Sequence, residues 1–115
     1  MQKLVQPPEF VCDVRPEGRK VVVRLAGELD LQVADDVGAV VEELLDAGSP
    51  QVVIDLRNLS FLDSSGVHML IEAGQAAERR RRALALIRGP RNVQRVLQIT
   101  GTEALFAFVA PEEDE

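Results

Sequence analysis

The apolar positions of the chain fall into two alternating patterns, short near-continuous runs and longer stretches with helical spacing. Lys20-Val21-Val22-Val23-Arg24-Leu25-Ala26 is rich in β-branched residues and stops at Gly27, which predicts a largely buried strand ended by a glycine turn. Phe10-Val11-Cys12-Asp13-Val14 precedes it across Arg15-Pro16-Glu17-Gly18. That turn chemistry predicts a hairpin whose first strand lies at a sheet edge. From Val33 to Leu45, Val33, Val37, Val40, Val41, Leu44 and Leu45 recur at three- and four-residue intervals, the pattern of an amphipathic helix, and Gly48-Ser49-Pro50 closes it. Gln51-Val52-Val53-Ile54-Asp55-Leu56 is a second apolar run and predicts a strand inside the sheet.

A loop carrying Phe61 and Leu62 then leads to Asp63-Ser64-Ser65-Gly66. Beyond it Val67, Leu70, Ile71, Gly74 and Ala77 form the stripe of a second helix. The arginines Arg79 to Arg82 suit its C-terminus, where the helix dipole is negative. Ala83-Leu84-Ala85-Leu86-Ile87 predicts a third parallel strand. Asn92 to Ile99 predicts a short helix with Val93, Val96 and Leu97 inward and Gly101 just past its end, and Ala104 to Val109 a last strand or extended segment. The expected fold is therefore α/β: a mixed four- to five-stranded sheet with an N-terminal hairpin and three or four helices. One domain spans 9–110, between a frayed N-terminus at 1–8 and an acidic disordered tail at 111–115.

Composition narrows the chemistry. A chain of 115 residues with 46% hydrophobic content suits one core. A single cysteine, Cys12, makes neither an internal disulfide nor a cysteine-ligated metal site. No metal and no cofactor is expected. No apolar stretch approaches the ~20 residues needed to span a bilayer, and the start of the chain has no leader pattern. The expectation is a soluble cytoplasmic protein without membrane insertion. Thirteen basic against nineteen acidic residues give a net charge of -6, which disfavours direct nucleic-acid binding. Four phenylalanines without Trp or Tyr remove the stacking platforms of a single-strand binder. Glu78-Arg79-Arg80-Arg81-Arg82 is accordingly expected to be a solvated helix end, and Arg88-Gly89-Pro90-Arg91 a turn that lacks the phosphate-loop pattern.

Asp63-Ser64-Ser65-Gly66 is the most informative segment, because it meets a helix start where unpaired N–H groups and a partial positive charge lie. In one reading Asp63, Ser64 or Ser65 caps the helix and Gly66 allows a tight turn. In the other, a serine there is phosphorylated, and the helix stabilises an added charge of about -1.5 to -2. Local residue types leave both open.

Three segments together, Ala26-Gly27-Glu28-Leu29-Asp30, Leu59-Ser60-Phe61-Leu62-Asp63-Ser64-Ser65-Gly66 and Val93-Gln94-Arg95-Val96-Leu97-Gln98-Ile99-Thr100-Gly101, resemble the anti-sigma factor antagonist family of STAS domains over roughly residues 10 to 109. The resemblance implies a bacterial partner-switching protein of transcription regulation, as in stress response or sporulation. Its unphosphorylated form would bind an anti-sigma factor that is also a serine kinase. Phosphorylation of Ser64, with Ser65 as its helix-capping neighbour, would release that kinase, and a phosphatase would reset the chain. The resemblance implies a partner-binding set of Glu28, Asp30, Asp63, Ser64, Ser65, Gly66 and His68. Within it Asp30 either positions the serine hydroxyl or the partner's nucleotide–metal site, or ends the strand as a turn residue, and Glu28 is a surface charge.

His68 stands where members of this family commonly carry glycine, so the first turn of the helix is bulkier here. Ser64 and His68 lack a Gly-x-Ser-x-Gly elbow and an orienting third group, so no catalytic residue is assigned and the chain is not expected to be an enzyme. The alternative function is a STAS docking module of a transporter or sensory complex, never phosphorylated on the loop.

Overall fold

The computed structural model describes residues 2–6 as backbone and residues 10–111 in full. Its elements are β1 (Gln2–Gln6), β2 (Phe10–Glu17), β3 (Lys20–Leu29), α1 (Leu31–Asp46), β4 (Gln51–Leu62), α2 (Ser64–Arg79), β5 (Ala83–Ile87), α3 (Arg91–Ile99), a one-turn 3-10 helix (Glu103–Leu105) and β6 (Ala107–Phe108). They form a single α/β domain around one six-stranded mixed sheet in the order β1-β2-β3-β4-β5-β6. The first two pairings are antiparallel and the remaining three parallel.

The N-terminal hairpin forms as the turn chemistry predicts, with differences at its margins. Gly18, at φ +68°, and Arg19 make the turn between the registered pair Glu17 and Lys20. Arg15, Pro16 and Glu17, expected in the turn, therefore extend β2. β2 is not the edge strand, because Gln2–Gln6, expected within the frayed end, pairs along it as β1. β1 is the added strand that brings the sheet to six, one beyond the four to five expected. Of the acidic tail at 111–115, only Pro111 lies within the described residues.

β4 also runs further than its apolar run, through the segment expected as a loop, as far as Leu62. Register shifts between Arg24 and Ala26 and between Gly27 and Glu28 keep β3 in step with it. Along this extension Leu59 and Leu62 are buried while Arg57, Asn58, Ser60 and Phe61 are exposed. The last segment is the 3-10 turn followed by the short β6, whose Phe108 carries the Arg88 guanidinium 4.2 Å from its ring centre.

One sheet face holds the main core. Val23, Leu25, Val52, Ile54, Leu56 and Leu86 pack there with Val37 and Val41 of α1, Leu70 of α2, and Val93 and Leu97 of α3. The period of two sends the intervening Val22, Val53 and Ile87 into a small cluster on the other face. Asp55 is buried on that face, where Arg57 donates to it through Nε at 3.0 Å and Nη2 at 2.7 Å, and Arg24 adds an ion pair at 3.7 Å. Removing one partner of such a buried ion pair is strongly destabilising, because it leaves the other charge uncompensated.

The arginine run is not simply a solvated end. Arg80, at the C-cap of α2, donates to Glu42 at 2.7 Å and to Asp46 at 2.9 Å, tying α2 to α1. Its hydrogen bond to Asp46 holds the guanidinium pKa further above its already high ordinary value. No helix among the described residues is long and apolar enough to cross a membrane.

Candidate functional site

Parallel strands joined by helices bring every following helix N-terminus to one sheet edge, and here two of those N-termini are in register. Leu29 ends β3 opposite Leu62, which ends β4, and the Asp63 N–H donates to the Leu29 carbonyl at 3.3 Å. Both leucines are buried. The residues after them, Asp30 and Asp63, are the N-caps of α1 and α2. Asp30 Oδ1 accepts from the Gln32 N–H at 3.0 Å, and Asp63 Oδ1 accepts from the Gly66 N–H at 3.1 Å.

The cap of α2 is thus Asp63, and Ser65, expected as the capping neighbour, already lies inside the helix. Asp63 wins because its carboxylate reaches the third residue of the helix from an extended backbone at φ -110°, ψ -174°. Freed from capping, Ser64 is the first helical residue and is exposed, while Ser65 is half-buried. Gly66 is helical, so its role is close approach rather than a tight turn. A Cβ there would stand 2.5 Å from Leu62 Cδ1 and 2.9 Å from the Leu29 carbonyl oxygen.

Exposed apolar residues border this edge. Leu31, the first residue of α1, is 74% exposed, and Phe61, in register with the exposed Glu28, is 45% exposed. Between α1 and α2 runs a groove of about 400 Å³, lined among others by Leu31, Asp35, Ser64, Ser65, His68 and Glu72. His68 Nε2 lies 3.2 Å from Glu72 Oε2 on the solvent side of α2. The structure therefore gathers Asp63, Ser64, Ser65, Gly66 and His68 on one helix start, with Glu28 and Asp30 on the neighbouring strand end. Sequence reading missed Leu31, Asp35 and Glu72. The recurrence of Leu-Asp at 29–30 and 62–63, each before a helical stripe, is the signal that the two loops are equivalent.

Such an edge offers two things chemically. The Ser64 hydroxyl is accessible at the positive end of a helix, where a phosphate is electrostatically favoured. The surrounding mixture of exposed apolar and acidic groups is suited to docking a protein rather than a small polar ligand.

Residues 12–109 match the profile of the family described as Mlab, STAS domain. The chain belongs to the STAS domain family. Among the relatives of this STAS domain is the anti-sigma-B factor antagonist of Staphylococcus aureus strain NCTC 8325. The two are 24% identical over 83 residues, covering 72% of this chain and 77% of the relative. The structure of the anti-sigma factor antagonist SpoIIAA in its unphosphorylated form superposes with a TM-score of 0.76 at 25% identity, covering 90% of each chain. A sulfate transporter family protein from Wolinella succinogenes shares the fold with a TM-score of 0.68 at 22% identity, covering 85% of this chain and 82% of that one.

Proposed function

We propose that this STAS domain is an anti-sigma factor antagonist whose partner is an anti-sigma factor with serine kinase activity. In its unmodified form it docks the kinase through the edge formed by Glu28, Asp30, Asp63, Ser64, Ser65, Gly66 and His68, with Leu31 and Phe61 as apolar anchors. The kinase transfers the γ-phosphoryl group of its ATP to Ser64 Oγ, the hydroxyl loses its proton and ADP leaves. The phosphorylated chain dissociates, and a phosphatase that hydrolyses the phosphoserine restores it. The chain itself supplies no catalytic residue, works in the cytoplasm, and acts on transcription through the sigma factor that the kinase would otherwise hold.

The observation that carries this reading is the exposure of Ser64 as the first residue of α2, directly after a cap that leaves its hydroxyl unused for capping. A phosphate there adds about -1.5 to -2 charge directly after the Asp63 cap, in the groove that Ser64 shares with Leu31 and Asp35. A hundredfold loss of affinity requires about 2.7 kcal/mol, and burying a phosphate against carboxylates and apolar surface is a cost of at least that order. No backbone rearrangement is needed.

Intact-mass analysis of the protein from its native cells, with peptide mapping of the loop, tests the reading. One phosphate on Ser64 of the wild-type chain and none in Ser64→Ala supports it. An unmodified Ser64 across growth and stress conditions overturns it in favour of a docking module, for which the exposed Leu31 and Phe61 would serve without phosphorylation.

A further inference from the structure

His68 is one helical turn beyond Ser64, and both are exposed on α2 and line the same groove. Residues four apart on a helix are neighbours, with Cβ atoms about 5–6 Å apart. The Cα–Cβ bond leans toward the helix N-terminus, which puts the turn that carries Ser64 within reach of a second rotamer of the imidazole, the present one being turned to Glu72. Among the residues lining the groove, His68 is the one that can become positive, and the titratable groups around it are Glu72 on its own helix and Asp35 on α1.

At present the imidazole is held by Glu72, four residues toward the C-terminus, at 3.2 Å. When the imidazole is protonated, that pair has the cation before the anion along the helix, the weaker order with respect to the dipole. A phosphate on Ser64 would offer the opposite order, anion first, with a larger charge and three acceptor oxygens. We propose that His68 is the internal counter-ion of phosphorylated Ser64, exchanging Glu72 for the phosphate when the serine is modified. The proposal rests on the reading of Ser64 as phosphoacceptor and adds what the modification does within the chain.

The exchange has two consequences. Phosphorylation draws a proton onto His68, because a nearby anion favours the imidazolium. The phosphoserine–imidazolium pair then covers the Ser64 end of the groove, so the modified chain presents an internally satisfied surface instead of an open one.

The test uses the full chain with phosphoserine placed at position 64 by genetic encoding, so that it does not depend on any kinase. Proton NMR titration of the His68 ring in the unmodified and phosphorylated chains is expected to give a proton affinity about three- to tenfold higher after phosphorylation, up to roughly one pKa unit. Phosphorus NMR is expected to report the reciprocal effect, a second phosphate ionisation at lower pH in the wild type than in His68→Gln. Glu72→Gln should alter the His68 titration less in the phosphorylated chain than in the unmodified one, since Glu72 has by then been displaced. A His68 titration that phosphorylation changes by less than about twofold, or an equal effect of Glu72→Gln in both forms, overturns the proposal. Failure of the phosphoacceptor reading is a separate result, seen as unmodified Ser64 in native cells.

Discussion

Asp30 and Asp63 hold equivalent positions, each one residue past a member of the Leu29–Leu62 register pair and each capping the helix that starts next to it. The equivalence places two helix N-termini and two carboxylates at one edge of the sheet. Ser64 follows the second of these caps, so a charge placed on it acts where both loops meet.

The caps contribute to stability as well as to the site. Asp63→Ala removes the acceptor for the Gly66 N–H and is expected to cost about 1 kcal/mol, as is Asp30→Ala for the Gln32 N–H. Asp63→Asn and Asp30→Asn should retain most of that, because an amide oxygen caps as well as a carboxylate. Urea denaturation of the four variants measures the difference. Equal losses in the Ala and Asn variants would show that charge rather than capping is what the edge needs for folding.

Two glycines of α2 should respond in opposite directions. Gly66→Ala forces a methyl group against Leu62 and the Leu29 carbonyl, and overpacking of this kind costs about 1–3 kcal/mol. Gly74→Ala meets nothing within 4 Å, so the helix-propensity gain of roughly 0.8–1 kcal/mol should appear as added stability. Thermal unfolding of both variants beside the wild type checks the pair.

Cys12 gives the fold an alkaline sensitivity. Burial, reinforced by the neighbouring Asp13 carboxylate, pushes its thiol from 9.0 up to about 11. The unfolded chain ionises first, so stability that is complete below pH 9 should decline as pH rises from about 9 to about 11. The chain has no tyrosine, which keeps phenol ionisation out of this window. Denaturation midpoints at pH 8 and pH 10.5 are expected to differ more for the wild type than for Cys12→Ala. Alkylation of the native thiol at pH 8 should be slow.

Elements with strong periodicity were legible in the sequence, and those held by pairing alone were not. The Val-rich β3 and the heptad-like stripe of α1 lie where their patterns put them, because burial on one or both faces leaves a direct hydrophobic signature. β1 has no such signature, since Gln2-Lys3-Leu4-Val5-Gln6 neither alternates nor forms an apolar run and stands beside Pro7 and Pro8, and it becomes a strand through its ladder to β2. The end of β4 is similar. Arg57, Asn58 and Ser60 carry a loop composition, and the bulged register with β3 keeps them extended.

The candidate site was legible as a motif but not as a geometry. Asp-Ser-Ser-Gly marked the position, whereas the choice of Asp63 over Ser65 as cap depends on which side chain the extended backbone aims at the Gly66 N–H. Neither the placement of Asp30 and Asp63 as caps at one sheet edge nor the groove that joins Ser64, His68 and Glu72 can be read before the register of β3 and β4 and the packing of α1 on α2 are known.

In the proposed function, the charge state of Ser64 decides partner binding. This dependence is tested most directly by isolating tagged wild-type, Ser64→Ala and Ser64→Asp chains from the native cells and identifying what copurifies. An anti-sigma factor kinase is expected on the wild type and on Ser64→Ala, and lost from Ser64→Asp. The same partners on all three chains would contradict it.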